Sequence, residues 1–397
     1  MKNIERKSAR RYDTPGRCRS FTDKVYSGPC EDRQALRNAV FATEKEFYPQ
    51  KSEYNIYFGE LHGHTNLSDG IPDIDDYFLN IRDNAKLDFA ALSDHDHGGI
   101  GKRELFGESW EIIKSKVKQF YEPNKFTTIL AYERDSYPWY NNMVVYYDSH
   151  DGEILPHSIN GELTRKELED MLKRKDILFA PHDTYHLEAG ADFYSIDKEL
   201  LPPLFEMYSR GDCTEFFDNP WNERDIMCEG GFFQDALKMG AKPGVIAASD
   251  DHYCKNGLRI EEWGGFSQYP GMTAVLAKEN TLEGIFEALK ARRCYGFMGP
   301  ERIYIDFRIN GHYMGEEFDC DGDRSVYFKI DSDKKVKKVT VVKNCRDYMI
   351  IKRPEQLFFD YKAENDTDSY YLRVELSDGR LAWTSPIYVN NEMEKDA

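Results

Sequence analysis

The chain has 397 residues, with 53 Lys plus Arg against 71 Asp plus Glu, a formal charge of −18 that argues against nucleic acid or an anionic membrane as its main partner. A hydrophobic content of 40% supports a buried core, and the length suits one large domain plus a smaller one. No stretch nears the roughly 18 apolar residues of a membrane span.

The charged N-terminus carries no apolar signal-like run, so the chain reads as cytoplasmic. Eight scattered cysteines without a C-x-x-C pair read as free thiols. Residues 1–50 are polar and irregular, with a helix expected over Glu31–Glu46, and read as an N-terminal arm or cap.

From 51 to 298 strand and helix patterns alternate. Strands are predicted at Tyr54–Glu60, Asp88–Leu92, Phe126–Tyr132, Met143–Tyr147, Ile177–Ala180, Pro203–Tyr208 and Val245–Ala248. Helices are predicted at Asp73–Leu87, Arg103–Phe120, Thr164–Arg174 and Thr281–Ala291, the third opened by a capping box of Thr164 and Glu167. This alternation implies an α/β fold with a parallel sheet, and over such a length a closed or nearly closed TIM-like barrel. From 299 to 397 the pattern is strand and turn: Arg302–Ile309, Ser325–Ile330, Lys338–Val342, Tyr370–Leu376 and Ile387–Val389, with Asn310-Gly311, Asp321-Gly322 and Asp378-Gly379 as turns. That region reads as a separate antiparallel β-sandwich. Its Tyr361, Tyr370, Tyr371 and Trp383 read as core or interface aromatics before a carbohydrate platform.

Polar residues fall at the strand ends. His62 and His64 follow the first strand, Asp94 and His95 the second, Glu133 the third and His182 the Ile177–Ala180 strand; Glu206 lies within Leu-Phe-Glu-Met-Tyr, and Asp250 and His252 follow Val245–Ala248. Parallel strands bring their C-terminal ends to one face, where barrel active sites sit. An isolated H-x-H is a weak sign and an Asp-His is often a turn. Four such clusters, holding seven of the ten histidines, coincide at expected strand ends, and imidazole with carboxylate is the donor set of Zn, Mn or Fe hydrolytic sites. His150, His157 and His312 lack this setting and read as surface residues.

Gly59-Glu60-Leu61-His62-Gly63-His64-Thr65 with Ser68-Asp69-Gly70 resembles motif I of the PHP (polymerase and histidinol phosphatase) family. Leu92-Ser93-Asp94-His95-Asp96 resembles motif II, Pro181-His182 motif III and Ser249-Asp250-Asp251-His252 motif IV. Gly271–Ala277, Ala291–Gly296 and Ala382–Ile387 narrow the resemblance to the stand-alone CehA/McbA-like or DUF3604-like branch. The resemblance implies a distorted (β/α)7 PHP barrel with one to three divalent transition metal ions, Zn, Mn or Fe. The ligands it implies are His62, His64, Asp69, His95, Glu133, His182, Asp250 and His252, with Asp94 a ligand or the partner of one and Glu133 a bridging carboxylate. Two departures stand out: no His follows Glu133 in Trp139–Met143, and Asp183 stands where many members carry a second His after motif III. One or two ions are then the expected resting state.

These ligands imply attack by metal-bound hydroxide, with Asp96, His97 or His186 protonating the leaving oxygen and Arg210 clamping an anionic group. The expected function is hydrolysis of a small anionic phosphoester. The alternatives are a carboxylic or carbamate ester, a sugar derivative, and a catalytically weak regulatory module, the last disfavoured by the intact motifs. The sequence sets no oligomeric state.

Overall fold

The computed structural model describes residues 49, 51–96, 105, 107–135, 139–140, 142–155, 163–185, 190–209, 212–222, 228–260 and 268–391. The expected Glu31–Glu46 helix lies outside them.

The first region contains β1 (Asn55–Glu60), α1 (Ile74–Leu79), β2 (Phe89–Leu92), α2 (Glu108–Phe120), β3 (Thr127–Asp135), β4 (Asn142–Tyr147), α3 (Arg165–Lys173), β5 (Ile177–His182) and β6 (Leu204–Glu206). The two-residue strands β7 (Tyr208–Ser209) and β8 (Asp212–Cys213) follow, then α4 (Phe233–Lys238), β9 (Gly244–Ile246), β10 (Gly271–Ala277), α5 (Leu282–Lys290) and β11 (Cys294–Met298). Local chemistry explains the helix starts. Asp73 accepts a hydrogen bond from Asp76 N at 2.9 Å, Thr281 does the same for Gly284 N at 3.1 Å, and Thr164 and Glu167 form the predicted capping box. Each helix buries one stripe: Trp110, Ile113, Val117 and Phe120 on α2, and Leu282, Ile285, Phe286 and Leu289 on α5.

The sheet is mixed, not parallel throughout. β1, β2 and β3 pair in parallel, as do β6 and β9. β4 runs antiparallel between β3 and β5, and β10 runs antiparallel to both β1 and β11. For β3 and β4 the reason is loop length. Asp135 and Asn142 are too close in sequence for the dozen or more residues of a parallel crossover, so β3 and β4 form a hairpin. The predicted helix over Asp73–Leu87 likewise splits into α1 and a π-turn at Asn80–Asn84, where Asn80 is buried and its amide donates to Asn256 O at 3.2 Å.

The second region contains β12 (Ile303–Ile309), β13 (His312–Tyr313), β14 (Glu317–Asp319), β15 (Arg324–Ser332), β16 (Val336–Lys343), β17 (Arg346–Ile351), β18 (Glu355–Asp360), β19 (Thr367–Leu376), β20 (Leu381–Thr384) and β21 (Ile387–Asn390). One sheet runs β13-β12-β15-β18; β16, β17, β19, β20 and β21 pair in another, with β14 at its edge. Ile303, Ile305, Phe307 and Ile309 of the first share a core with Val339, Val341, Leu372 and Val374 of the second. That second sheet continues into the first region, because β20 pairs with β11 through Tyr295 opposite Thr384, Gly296 opposite Trp383 and Phe297 opposite Ala382. Gly296 is required there, since a Cβ would lie 2.7 Å from the backbone of Ile246. Tyr370, Tyr371 and Trp383 are buried, whereas Tyr361 is exposed.

Trp383 donates from its indole N–H to Glu215 Oε2 at 2.9 Å at this junction and is fully buried. Trp383→Ala is expected to lower the unfolding free energy by about 3–5 kcal/mol, read by equilibrium denaturation. A loss of less than ~1 kcal/mol would show that the junction is not packed in solution.

Candidate metal centre

The strand ends are sewn together by backbone hydrogen bonds. His64 N donates to Asp251 O at 3.0 Å, Asp250 N to His62 O at 3.0 Å, Ser93 N to Gly63 O at 3.0 Å and Asp96 N to Glu133 O at 2.9 Å. These bonds bring the segments after β1, β2 and β9 and the end of β3 to one place. Gly63 lets them meet, because a Cβ would fall 2.3 Å from Asn256 Nδ2. Asp183 and Asp250 hold left-handed backbone, with φ of 52° and 48°, a conformation that Asp tolerates better than most residues.

The side chains converge in two main groups. In one, His62 Nε2, His64 Nε2, Glu133 Oε2 and Asp250 Oδ1 face one another. Five of the six separations are 3.3 Å between the imidazoles, 3.4 Å from His62 to Glu133 and to Asp250, 3.2 Å from His64 to Glu133 and 2.9 Å from His64 to Asp250. Bonds of about 2.0–2.1 Å to a tetrahedral ion give ligand separations of about 3.3–3.4 Å. All four atoms can also act as metal ligands, since a neutral imidazole can present its Nε2 lone pair while Nδ1 carries the proton. The donor set and spacing are compatible with a metal ion. In the other group Asp69 Oδ1 lies 3.2 Å from His252 Nε2, 3.6 Å from His95 Nε2 and 3.7 Å from His64 Nδ1. The His64 ring stacks between those of His95 and His252, at centroid distances of 4.6 and 4.1 Å. His95 Nδ1 lies 3.2 Å from Glu133 Oε2, which links the two groups.

The charge balance points the same way. Burial opposes a charge on His62, but Asp250, Glu206 and Glu133 outweigh it and push the imidazole up to about 10. His64 is likewise opposed by burial yet pushed up to about 9, by Asp250 and Glu133. Burial would raise Glu133, Asp69 and Glu206, but neighbouring imidazoles hold the first two well below the usual carboxylate range and Glu206 at about 2. The rings and carboxylates thus favour each other's charged forms, which shows how strongly this buried cluster couples opposite charges.

Among the predicted ligands, His62, His64, Asp69, His95, Glu133, Asp250 and His252 come together in these groups, and His182 Nε2 lies 3.3 Å from Asp250 Oδ2. Asp94 is buried, and its carboxylate faces the first loop, accepting from Thr65 N at 2.7 Å and from Thr65 Oγ1 and Ser68 Oγ at 2.5 Å each. It holds the loop that carries His64 and Asp69. Asp96 is fully buried. His97, His186 and Arg210 lie outside the described residues.

Three residues were not assigned these roles from sequence. Glu206 places Oε2 3.1 Å from His62 Nδ1 and Oε1 3.2 Å from His182 Nδ1. Glu60 accepts at Oε1 from Leu61 N, His62 N and Ser249 N at 3.0, 3.2 and 3.0 Å, tying the ends of β1 and β9; burial pushes it up to about 8. Asn142 donates to Glu133 Oε1 at 2.9 Å. The available signal for Glu206 and Glu60 is a carboxylate in or at the end of an apolar strand, which demands a buried partner. His150, expected at the surface, is half-buried, with Nε2 2.8 Å from Thr128 O and its ring against Tyr121.

No family model matches the sequence. An uncharacterized protein of Chlamydia pneumoniae is 25% identical over 367 residues, 85% of this chain and 57% of that protein. Uncharacterized proteins of Chlamydia trachomatis and Chlamydia muridarum are each 24% identical, over 90% and 85% of this chain and 61% and 58% of theirs. The chain therefore spans 57 to 61% of the length of these relatives. Among solved structures, a two-domain protein from Bacteroides vulgatus containing a predicted PHP-like metal-dependent phosphoesterase is 14% identical, with a TM-score of 0.46 over 85% of this chain and 97% of that one. Fibronectin(III)-like modules of Clostridium thermocellum CbhA match 23% of this chain and 98% of theirs, at 19% identity and a TM-score of 0.19. The described residues form a strand-rich mixed α/β protein whose buried His/Asp/Glu groups are compatible with metal binding. None of its described helices is long and apolar enough to cross a membrane.

Chelator-treated protein is expected to take up Zn2+, Mn2+ or Fe2+ saturably, at one to three ions per chain by elemental analysis. A 100-fold excess of ion over Kd should stabilise the fold by about 2.7 kcal/mol. His64 belongs to both main groups, so His64→Ala should reduce the bound ions by at least one. Unchanged stoichiometry would remove His64 from the site.

Proposed function

We propose that the chain is a metal-dependent hydrolase of the PHP kind, most closely related to its stand-alone CehA/McbA-like or DUF3604-like branch. On this reading the first region is a distorted barrel and the strands after residue 299 form a C-terminal sandwich joined to it through β11 and β20. The observation that carries the proposal is the spacing of His62, His64, Glu133 and Asp250, where four separations of 3.2–3.4 Å lie close to the edges of a metal tetrahedron and a fifth is 2.9 Å.

These four residues would hold one ion, Asp69, His95 and His252 a second, and His182 Nε2 with Asp250 Oδ2 would contribute a further position. When bound, such ions supply Lewis acidity and a nucleophile at neutral pH. The protein's own residues do the rest. Glu133 joins the two groups through one oxygen while Asn142 fixes the other. Asp94 fixes the loop that sets His64 and Asp69. Asp96, buried beside Glu133 in the chain fold, is the described candidate for passing a proton to the leaving oxygen. His97 and His186 are proposed for the same task, and Arg210 for holding an anionic group.

A small anionic phosphoester is the proposed substrate. A phosphoryl oxyanion carries more charge than a carbonyl adduct and gains more from several cations. The acidic exterior disfavours a nucleic-acid polymer. Cytoplasmic location remains part of the proposal.

Metal-loaded protein should hydrolyse aryl phosphates, and Glu133→Gln and His252→Ala should each lower kcat at least about 100-fold with far-UV circular dichroism unchanged. Aryl esters turned over tenfold faster than phosphates would replace the phosphoester assignment with an ester or carbamate one. No turnover of either class by the metal-loaded protein would favour a regulatory module.

A further inference from the structure

His62, His182 and Glu206 lie close enough together to form a third metal pocket. Proton bookkeeping favours another role. Glu206 faces Nδ1 of both rings, at 3.1 Å to His62 and 3.2 Å to His182. The Nε2 atoms of the same rings face the two oxygens of Asp250, at 3.4 Å from His62 to Oδ1 and 3.3 Å from His182 to Oδ2. A neutral imidazole carries one N–H and one lone pair. His62 already commits Nε2 to the group it shares with His64 and Glu133. Ligation through Nδ1 as well would require an imidazolate, a more demanding state than a hydrogen bond to a carboxylate.

We infer that Glu206 is a positioning residue that accepts Nδ1–H from His62 and His182 at once and thereby turns both Nε2 lone pairs toward Asp250 and the metal positions. The inference rests on the metal-site reading above. The geometry suits the task. Glu206 ends a strand, is 3% exposed, and has its backbone carbonyl held by Thr214 Oγ1 at 2.8 Å. One carboxylate offers two equivalent acceptors, so one side chain sets two tautomers. Asp250, on the far side of both rings, offers one oxygen to the His62 and His64 side and the other to His182. His62 and His182 thus have Glu206 at their backs and Asp250 in front, with Glu133 also 3.4 Å from His62 Nε2 and Asp183 3.4 Å from His182 Nε2.

A glutamine at this position cannot do the same. Its amide has one accepting oxygen and one donating NH2. One ring keeps its Nδ1–H bond; the other meets a donor, turns to the Nε2–H tautomer and loses its metal lone pair. Glu206→Gln should therefore weaken binding at one ion position by about 10- to 100-fold.

The test uses full-length protein with histidine rings labelled with 15N, loaded with Zn2+ alone, and reads the ring nitrogens by NMR alongside Zn2+ binding isotherms. In wild type, His62 and His182 should show protonated Nδ1 and zinc-bound Nε2, each assigned from the loss of its signal in His62→Ala or His182→Ala. Glu206→Gln should lose one such signature and the stated affinity. Zinc on Nδ1 of His62 or His182, or a Glu206→Gln affinity within twofold of wild type, overturns the positioning role while leaving the metal site standing. Failure of wild type to bind Zn2+, Mn2+ or Fe2+ overturns the proposed function itself, and this inference with it.

Discussion

One electrostatic constraint governs the strand ends: lone-pair atoms of imidazoles and carboxylates are packed within van der Waals range in a largely buried cluster. His62, His64 and Asp94 are fully buried, and Glu133, Glu206 and Asp250 are nearly so. Carboxylates buried this closely repel one another unless positive charge lies between them. The fold opposes that repulsion with backbone hydrogen bonds between strand ends and with left-handed turns at Asp183 and Asp250. Such geometry persists only where the surroundings over-determine it.

The C-terminal strands take part in that support. Glu215 is fully buried and accepts from Tyr371 Oη at 2.6 Å, Arg373 at 2.8 Å and the Trp383 indole at 2.9 Å. Burial pushes its carboxyl up, and Arg373 works against that rise. One residue earlier, Thr214 Oγ1 bonds the carbonyl of Glu206. The strands β19 and β20 therefore brace the loop that follows the Glu206 strand. A buried ion pair with every oxygen satisfied specifies position more than it adds stability, and here the position it specifies is adjacent to the site.

The convergence of these residues was easier to read in the sequence than the direction of the strands. Seven of the eight ligands implied by the family resemblance fall in two compact groups, because their positions are set by where strands end, and strand ends are marked by a change from apolar to polar residues. Strand direction leaves no such mark. β3, β4 and β5 read alike whether parallel or antiparallel; the short Asp135-to-Asn142 connection marks the β3–β4 hairpin, but the long β4-to-β5 connection through α3 gives no sign that this pair is antiparallel. Turns were legible where glycine announced them: Asn310 and Gly311 have φ of 51° and 86° in the β12–β13 hairpin. The β16–β17 turn uses Asn344 and Cys345 at φ of 51° and 59°, and cysteine carries no such signal. Asn344 there is held from outside, its amide donating to Asp368 Oδ1 and its oxygen accepting from Ser369 N. Tertiary contacts chose that conformation, and no local reading of the sequence contains them.

The role of Glu206 was not legible for a related reason. In Leu-Phe-Glu-Met-Tyr a single carboxylate interrupts an apolar run, which says that it is buried and partnered but not by what. Its partners, His62 and His182, stand 144 and 24 residues away along the chain. Metal-ligand motifs are read as short strings around histidines, and a carboxylate that acts on the far nitrogen of a ring need not lie in any of them. Exposure separates the two kinds of residue as well. The Asp69 and His252 side chains are 26% and 11% exposed, while those of Glu206 and His182 are 1% and 4%. Among the described residues the cluster meets solvent on the Asp69 side, and the orienting carboxylate lies on the sealed side, where nothing competes for its two hydrogen bonds.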